Sequence, residues 1–389
     1  MRKIYLDNAA TTRLSGEVLS AMLPYYTEFY ANANSLHEMG QEAGKAVAKA
    51  RETLASLINA SPREMFFTSG GTEGNNWIIK GIARANAHRG KHIIVSSIEH
   101  HSILESAREL ENEGFEVTYL PVDSTGLVDI MALVRAIKPT TTLVSVMAVN
   151  NEVGTIQNIK AIGEILKDYK AYFHVDCVQA MSCLHIDVKD MKIDALTMSA
   201  HKVHGPKGVG AVYIKTGTPI KKLIEGGEQE NGRRGGTTNV PGVVGMARAM
   251  EIAVRDIDVN NKKLQELSDY FVNKLNYAIS DIKFNGNFEQ KAPGIVNVSF
   301  RFIEGESILV KLDLEGVEVS TGSACASNSL EKSHVLKAMG LSHEDVNGAI
   351  RFSFGADNTK EDIDYVVEKL VGIVADLRKM SPLTKKKGK

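Results

Sequence analysis

Between residues 64 and 215, short apolar runs alternate with stretches in which apolar residues recur every three or four positions. This alternation predicts strands joined by amphipathic helices, as in an α/β domain with a largely parallel sheet. The predicted strands lie at 92–96, 116–120, 142–149, 172–175, 195–199 and 209–214, and the predicted helices lie around 102–113, 128–138 and 158–169.

The flanking regions have a different pattern. Residues 38–59 carry one apolar face and predict a long helix that packs on the core. After residue 258, a charged helix at 261–279 is followed by strand-like segments at 295–300, 318–320 and 350–354. We therefore predict a large domain at 15–258 and a smaller α+β domain formed by 1–14 and 259–389, with the polar stretch 256–263 as the boundary.

Charge and length narrow the function classes. The 389 residues include 46 basic and 47 acidic side chains, so no overall charge favours nucleic acid or an anionic membrane. Only the tail is strongly basic, with Lys385, Lys386, Lys387 and Lys389, and a solvated tail is the ordinary explanation. No apolar run approaches the ~18 residues of a membrane span. We expect a cytoplasmic protein that binds neither membrane nor nucleic acid directly.

The three cysteines are too few and too unevenly spaced for a disulfide framework or a zinc site. Cys177 and Cys183 lie in or beside apolar segments, which predicts core packing. Cys325 lies in a run of small polar residues at 321–329, which predicts a mobile loop and a reactive thiol. The histidines at 100–101 and 201–204 lack a completing ligand, so we expect no metal.

A glycine-rich turn follows the first strand of the large domain. Residues 66–73 read as a strand, then Gly70 and Gly71, then a helix start at Thr72. Backbone N–H groups and the helix dipole converge at such a turn and suit a phosphate. Because Gly-Gly turns before helices are common, the turn alone leaves phosphate binding open.

Three polar clusters follow predicted parallel strands: residues 150–152, Asp176 with Gln179, and residues 199–202. Parallel strands end at one sheet edge, where α/β proteins bind ligands. The clusters supply an amine from Lys202, a carboxylate from Asp176 and several hydrogen-bond donors. Pyridoxal phosphate needs an amine to bond its carbonyl carbon, a carboxylate to pair with its ring nitrogen and donors to bind its oxygens.

Seven short motifs then occur in an order and spacing typical of one enzyme family. They are DNAATT at 7–12, TSGGTE at 68–73, EH at 99–100, NNEVG at 150–154, HVD at 174–176 with Gln179, SAHK at 199–202 and STGSAC at 320–325. Over nearly its whole length the chain resembles the NifS/IscS-type cysteine desulfurases of the class-V aminotransferase family. The resemblance implies the α/β fold of type I pyridoxal-phosphate-dependent transferases, with a mainly parallel sheet in the large domain and a smaller α+β domain.

The resemblance also implies roles for individual residues. Lys202 would form the Schiff base with pyridoxal 5'-phosphate, Asp176 would pair with the pyridine nitrogen, and His100 would stack on the ring and take part in catalysis. The remaining implied cofactor contacts are Gly71, Thr72, Asn151, Gln179, Ser199 and His201, together with Thr237, which would reach the phosphate of the other subunit of a homodimer. Arg351, aided by Asn151, would bind the substrate carboxylate, although an ordinary salt bridge is the alternative for this arginine.

The implied reaction converts L-cysteine to L-alanine and leaves the sulfur on Cys325 as a persulfide. An acceptor protein, either an iron–sulfur scaffold or a tRNA-thiolation enzyme, would then take the sulfur. Selenocysteine lyase and class-V aminotransferase remain enzyme alternatives, and a sulfur-transfer scaffold is the non-enzyme alternative. Glu228, Asn231 and Ala33 depart from the family pattern, and the residues after Pro382 lack the aromatic and acidic side chains of scaffold-serving relatives, so the acceptor stays open.

Overall fold

A computed structural model describes residues 2–322 and 332–382 of the chain. The strands of this part are β1 (Ile4–Tyr5), β2 (Met65–Thr68), β3 (His92–Ser96), β4 (Glu116–Leu120), β5 (Thr141–Ser145), β6 (Tyr172–Asp176), β7 (Ala195–Ser199), β8 (Gly210–Ile214), β9 (Ile282–Asn285), β10 (Ile295–Phe300), β11 (Val317–Glu318) and β12 (Ala349–Ser353). Its α-helices are α1 (Gly16–Met22), α2 (Pro24–Thr27), α3 (Glu38–Leu57), α4 (Gly71–Ala85), α5 (His101–Asn112), α6 (Ile130–Ala136), α7 (Ile159–Leu166), α8 (Gln229–Gly232), α9 (Val240–Arg255), α10 (Ile257–Ala278), α11 (Gly305–Leu314), α12 (His334–Ala338), α13 (His343–Asn347) and α14 (Lys360–Met380).

A seven-stranded sheet forms the centre of the large domain, in the order β2-β8-β7-β6-β5-β3-β4. Every pairing from β7 through β6, β5 and β3 to β4 is parallel, whereas β8 runs antiparallel to both of its neighbours. The α/β fold with a mainly parallel sheet is therefore confirmed. The parallel order matters for function because it brings the carboxyl ends of β5, β6 and β7 to one edge.

Helices cover both faces of this sheet, which explains the continuous apolar runs of its central strands. Alternate residues enter different cores: Ile94 packs in the core that includes α3 and α9, whereas Ile93 and Val95 pack in the core that includes α4 and α5. Trp77 on α4 is buried in the second core. The two cores hold the sheet edge in place from both sides.

The smaller region is built on the antiparallel sheet β12-β10-β9. Ile4 and Leu6 from the N-terminus pack in the same apolar cluster as α10 and α14. The polar stretch 256–263 is largely helical, because α9 ends at Arg255 and α10 already begins at Ile257. The division into residues 15–258 against 1–14 and 259–389 stays a prediction.

The predicted strand at 142–149 is shorter in the structure, where β5 ends at Ser145. Val146 and Ala148 still donate backbone N–H groups to β6, at 3.1 and 2.9 Å, but Met147 donates instead to the Glu99 carboxylate at 2.6 Å. The chain thus leaves the regular ladder where it approaches the sheet edge. In the described part of the chain, no helix is long and apolar enough to cross a membrane.

The small-region core gives a stability prediction. Phe271 is fully buried, and its ring lies 4.7 Å from that of Phe352 and 5.4 Å from that of Phe354, measured between centroids. We expect Phe271→Ala to lower the free energy of unfolding by about 3–5 kcal/mol, because it leaves a cavity among aromatic rings. Urea denaturation measures this value. Tyr277→Ala on the same helix is the control, because Tyr277 is 96% exposed and its loss should change little; equal effects of the two variants would contradict the packing account.

Candidate active site

One cavity lies at the carboxyl edge of the sheet and gathers most of the predicted site residues. Those that line it are Gly71, Thr72, His100, Asn151, Asp176, Gln179, Ser199, His201, Lys202 and Arg351. They come from segments that are far apart in sequence and meet only because the parallel strands end together. Cys325 lies outside the described residues, and Thr237 is exposed and does not line this cavity.

Asp176 begins a chain of hydrogen bonds that crosses the cavity wall. Its Oδ1 accepts the backbone N–H of Val178 at 2.9 Å, and its Oδ2 accepts Asn75 Nδ2 at 2.8 Å. Asn75 Nδ2 also donates to Ser102 Oγ at 2.9 Å, and Ser102 Oγ lies 2.8 Å from His100 Nδ1. The chain therefore connects the carboxylate to the imidazole through two buried polar side chains.

This network defines the protonation state of His100. Its Nδ1 accepts the backbone N–H of Ser102 at 3.1 Å, an arrangement that requires an unprotonated Nδ1. Burial, together with the charge of Lys202, lowers the pKa of His100 to about 4. His100 is thus neutral at physiological pH, with its ring available for stacking.

Two buried carboxyl groups lie near each other at this edge. Burial raises the pKa of Asp176, while the hydrogen bonds from Val178 and Asn75 and the charge of Lys202 oppose that rise. Glu99 is fully buried, and burial together with the charge of Asp176 raises its pKa well above the usual range. The negative charge is therefore favoured on Asp176, which faces the cavity and accepts hydrogen bonds from Val178 and Asn75.

Lys202 follows β7 in a short 3₁₀ turn, Ala200–Lys202. Its Nζ donates to the carbonyl of Ala10 at 2.8 Å and also to that of Ala9. Gln179 Nε2 donates to the same Ala9 carbonyl at 3.1 Å. The N-terminal segment thus holds the amine beside the cavity, and no other lysine lines this cavity in the described ranges 2–322 and 332–382.

The opposite end of the cavity suits a phosphate group. Gly70, with φ +154°, turns the chain into α4 and offers no side-chain cap to the first N–H groups of that helix. A Cβ on Gly71 would lie 2.8 Å from Val178 Cγ2, so a side chain there would require Val178 to move. The buried Ser199 Oγ has no hydrogen-bond partner among the described residues and points to a missing acceptor. These features fit a phosphate at the helix N-terminus.

His201 lines the same region and should be neutral. Burial lowers its pKa to about 4, and the charges of Lys202 and Lys207 act in the same direction. Its Nδ1 lies 3.2 Å from Thr11 Oγ1. A neutral imidazole can donate one hydrogen bond to a phosphate without adding a second cation beside Lys202.

Arg351 is 1% exposed, although it lines the cavity. Its Nη1 donates to the carbonyl of Asn151 at 3.0 Å, and its Nη2 donates to Asp7 Oδ1 at 2.6 Å. Its Nε is buried and has no hydrogen-bond partner within the part of the chain described. The salt bridge considered from sequence therefore exists, and it also fixes the guanidinium beside the cavity.

Thr237 lies on a segment that one ion pair joins to the first turn of α4 and another joins to α3. Arg234 Nε lies 2.8 Å from Glu73 Oε1, and Arg51 Nη1 lies 2.7 Å from Glu230 Oε2. All four of these side chains are largely buried. Thr237 is exposed on this segment and does not line the cavity of its own chain.

Sequence reasoning missed four contributors: Asn75, Ser102, Glu99 and Asp7. Asn75 was detectable, because it follows Gly71 by about one helical turn and so faces the same end of the site. Glu99 and Asp7 lie within the motifs EH and DNAATT, but their partners Met147 and Arg351 are distant in sequence. Ser102 lies two residues after His100, whereas its bond to Asn75 spans 27 residues. Among the described residues, no group of three or more histidine, cysteine, aspartate or glutamate side chains could hold a metal ion.

Comparison with known proteins identifies relatives across the whole chain. The family model "Aminotransferase class-V" matches residues 4–366. A curated protein of Clostridium botulinum, named cysteine desulfurase IscS, is 51% identical over 384 residues, which cover 98% of this chain and 97% of the relative.

Solved structures agree with this match. A structure described as a NifS-like protein superposes with a TM-score of 0.92 at 41% identity, covering 97% of this chain and all of that chain. A structure described as SspA in complex with cysteine gives a TM-score of 0.81 at 36% identity, covering 90% and 99%. The resemblance inferred from the seven motifs is confirmed.

The phosphate end of the cavity gives a second prediction. Ser199→Ala should weaken binding of pyridoxal phosphate at least tenfold, because a hydrogen bond to a charged group contributes about 1.5–3 kcal/mol. Spectroscopic titration of the protein stripped of cofactor measures this affinity. Ser97→Ala is the control, because Ser97 Oγ is also buried without a described partner but does not line the cavity. Equal affinities of the two variants would contradict a phosphate at Ser199.

Proposed function

Because the chain belongs to the class-V aminotransferase family, we propose that it is a pyridoxal-phosphate-dependent cysteine desulfurase. It converts L-cysteine to L-alanine and transfers the sulfur to Cys325 as a persulfide. The observation that carries the proposal is the cavity in which Lys202, the buried Asp176 and the α4 N-terminus meet. The curated name of the Clostridium botulinum relative, at 51% identity, supports the choice of reaction within the family.

The cofactor would lie between Lys202 and the glycine-rich turn. Lys202 would carry it covalently, Asp176 would face its ring nitrogen, and His100 would cover its ring. Asn151 and Gln179 would address its phenolic oxygen, while Gly71, Thr72, Ser199 and His201 would hold its phosphate. When bound, the cofactor supplies an electron sink for the bonds at the substrate α-carbon.

The residues of the chain then divide the proton transfers. Asp176, which favours the charged state, would hold a proton on the ring nitrogen of the bound cofactor. Lys202 would act as the base at the substrate α-carbon. The carbonyls of Ala9 and Ala10, which accept hydrogen bonds from the Lys202 amine, would help to position it.

Arg351 would bind the substrate carboxylate. A guanidinium forms bidentate pairs with carboxylates, and Asp7 together with the Asn151 carbonyl already fixes its plane. A carboxylate held there would place the α-carbon near Lys202, since both residues line one cavity. The structure described as containing SspA with cysteine supports an amino acid of this size.

Sulfur transfer would use the thiolate of Cys325. It attacks the substrate sulfur and forms an S–S bond, while the electrons of the breaking C–S bond stay with the carbon. That carbon takes up a proton and becomes the methyl group of alanine. Cys177 and Cys183 are poor competitors, because burial raises the pKa of the first well above its usual range and that of the second to about 12.

A homodimer completes the proposal. Apolar side chains remain exposed on α1, α2 and the following loop, including Leu23 at 52%, Tyr30 at 67% and Leu36 at 91%. Exposed apolar side chains of this kind suit an interface with a second copy of the chain. Thr237 would then serve the phosphate of the partner subunit, which accounts for its exposure here.

The proposed sulfur acceptor is a protein of iron–sulfur cluster assembly or of tRNA thiolation. Glu228 and Asn231 are both exposed in the segment before Thr237 and would influence that choice. Selenocysteine lyase and aminotransferase activities are not favoured, given the relatives' names. A scaffold without turnover would not need Lys202, Asp176 and Arg351 together. A cytoplasmic location stays a prediction from sequence.

The third prediction tests the enzyme assignment. Lys202→Ala should abolish both the visible absorption of the covalently held cofactor and the production of alanine from L-cysteine, because no other described lysine lines the cavity. Absorption spectra and an alanine assay measure the two effects. Lys207→Ala is the control, since this exposed lysine lies five residues away and does not line the cavity. Alanine production by the Lys202 variant at the rate of the unaltered protein would refute the proposal.

A further inference from the structure

Asn75 has no part in the proton transfers of the proposed reaction, although it lines the cavity and is 2% exposed. It lies on α4, and its Nδ2 donates to Asp176 Oδ2 at 2.8 Å and to Ser102 Oγ at 2.9 Å. Both hydrogens of the amide group are therefore in use. One side chain thus joins the carboxylate at the end of β6 to the first turn of α5.

The bond to Asp176 favours the charged form of that carboxylate. Burial raises the pKa of Asp176, and the bonds from Val178 and Asn75 and the charge of Lys202 oppose the rise. Val178 donates through its backbone N–H, which every substitution except proline retains. Asn75 donates through its side chain. The contribution of Asn75 can therefore be removed while the backbone donor stays in place.

The bond to Ser102 determines which end of the amide faces Asp176. The backbone N–H of Ser102 donates to His100 Nδ1 at 3.1 Å, so this nitrogen carries no proton. Ser102 Oγ lies 2.8 Å from the same nitrogen, and its hydroxyl hydrogen must point there, because two lone pairs would otherwise repel each other. Ser102 Oγ can then only accept a hydrogen bond from Asn75. The amide must therefore present its N–H groups on this side.

The amide oxygen of Asn75 agrees with this orientation. Oδ1 is buried and has no hydrogen-bond partner among the described residues. A half-turn of the amide would bring Oδ1 against the Asp176 carboxylate and Ser102 Oγ, so that acceptors would face each other. A buried amide oxygen without a partner is destabilising. The orientation therefore indicates that the two bonds from Nδ2 outweigh this loss.

We propose that Asn75 is a positioning residue whose amide holds the Asp176 carboxylate toward the cavity in its charged form, while Ser102 and His100 fix the direction of the amide. A charged Asp176 leaves the shared proton on the ring nitrogen of the bound cofactor. Asn75 acts through Asp176 and transfers no proton itself. The inference rests on the proposed function, because that function assigns Asp176 to the ring nitrogen.

The fourth prediction concerns the position of this proton. Asn75→Leu keeps the approximate size of the side chain but removes the donor, so the proton should shift from the ring nitrogen toward Asp176. We expect the equilibrium between the two positions to change about tenfold, because the loss of a hydrogen bond to a charged group shifts a pKa by about one unit or more. The measurement is the ¹⁵N NMR signal of holoenzyme that carries pyridoxal phosphate labelled at the ring nitrogen, since its frequency depends on protonation. Asn75→Ala should move the signal in the same direction.

Two controls separate this effect from a general disturbance of the helix. Asn76→Leu removes the bonds from Asn76 Nδ2 to two backbone carbonyls, at 3.0 and 3.4 Å, whereas the described residues give Asn76 no bond to Asp176. Its signal should match that of the unaltered protein. Ser102→Ala removes one partner of Asn75, but the charge of Asp176 still attracts Nδ2, so the signal should move less than in Asn75→Leu.

Equal signals from Asn75→Leu and Asn76→Leu would overturn the inference. An equal displacement in Ser102→Ala would also overturn it, because the effect would then not depend on the donor to Asp176. An unaltered protein in which pyridoxal phosphate does not bond to Lys202 would instead contradict the proposed function.

Discussion

Asp176 places a carboxylate at the end of β6, where burial raises its pKa and the surrounding groups must compensate to keep it charged. Val178 and Asn75 donate hydrogen bonds to it, and the cation of Lys202 favours the same state. Among the described residues, Glu99 has a donor to only one of its carboxylate oxygens, and its pKa is raised well above the usual range. Of these two carboxyl groups, Asp176 is the one on which the negative charge is favoured, and it faces the cavity.

The protonation states of the other site residues depend on this charge and on that of Lys202. The cation of Lys202 acts with burial to keep His100 and His201 neutral, so one imidazole can stack and the other can donate to a phosphate. We propose that the anionic phosphate lies at the opposite end, at the N-terminus of α4, where the described residues provide no side-chain cap. Asp176 and Lys202 line the same cavity, so one bound cofactor would meet both charged side chains.

The pattern of apolar residues predicted the α/β class and placed most strands, because buried parallel strands and amphipathic helices have distinct periods. Lys202, Asp176 and Ser199 were also accessible, since each follows a recognisable strand. The early end of β5 at Ser145 was not, because Met147 turns to a carboxylate 48 residues away. The motifs at 7–12 and 150–154 include Asp7 and Glu152, but their partners Arg351 and Ser333 are distant in sequence, and only the folded chain brings them together.

The central claim is that the chain removes sulfur from L-cysteine and retains it on one thiol. The most direct measurement mixes the holoenzyme with one equivalent of sulfur-labelled L-cysteine in the absence of any acceptor or reductant, then digests it and locates the label. One alanine should form for each labelled sulfur, with the label on the peptide that contains Cys325. Label on the peptides of Cys177 or Cys183, or alanine formed with no protein-bound sulfur, would contradict it.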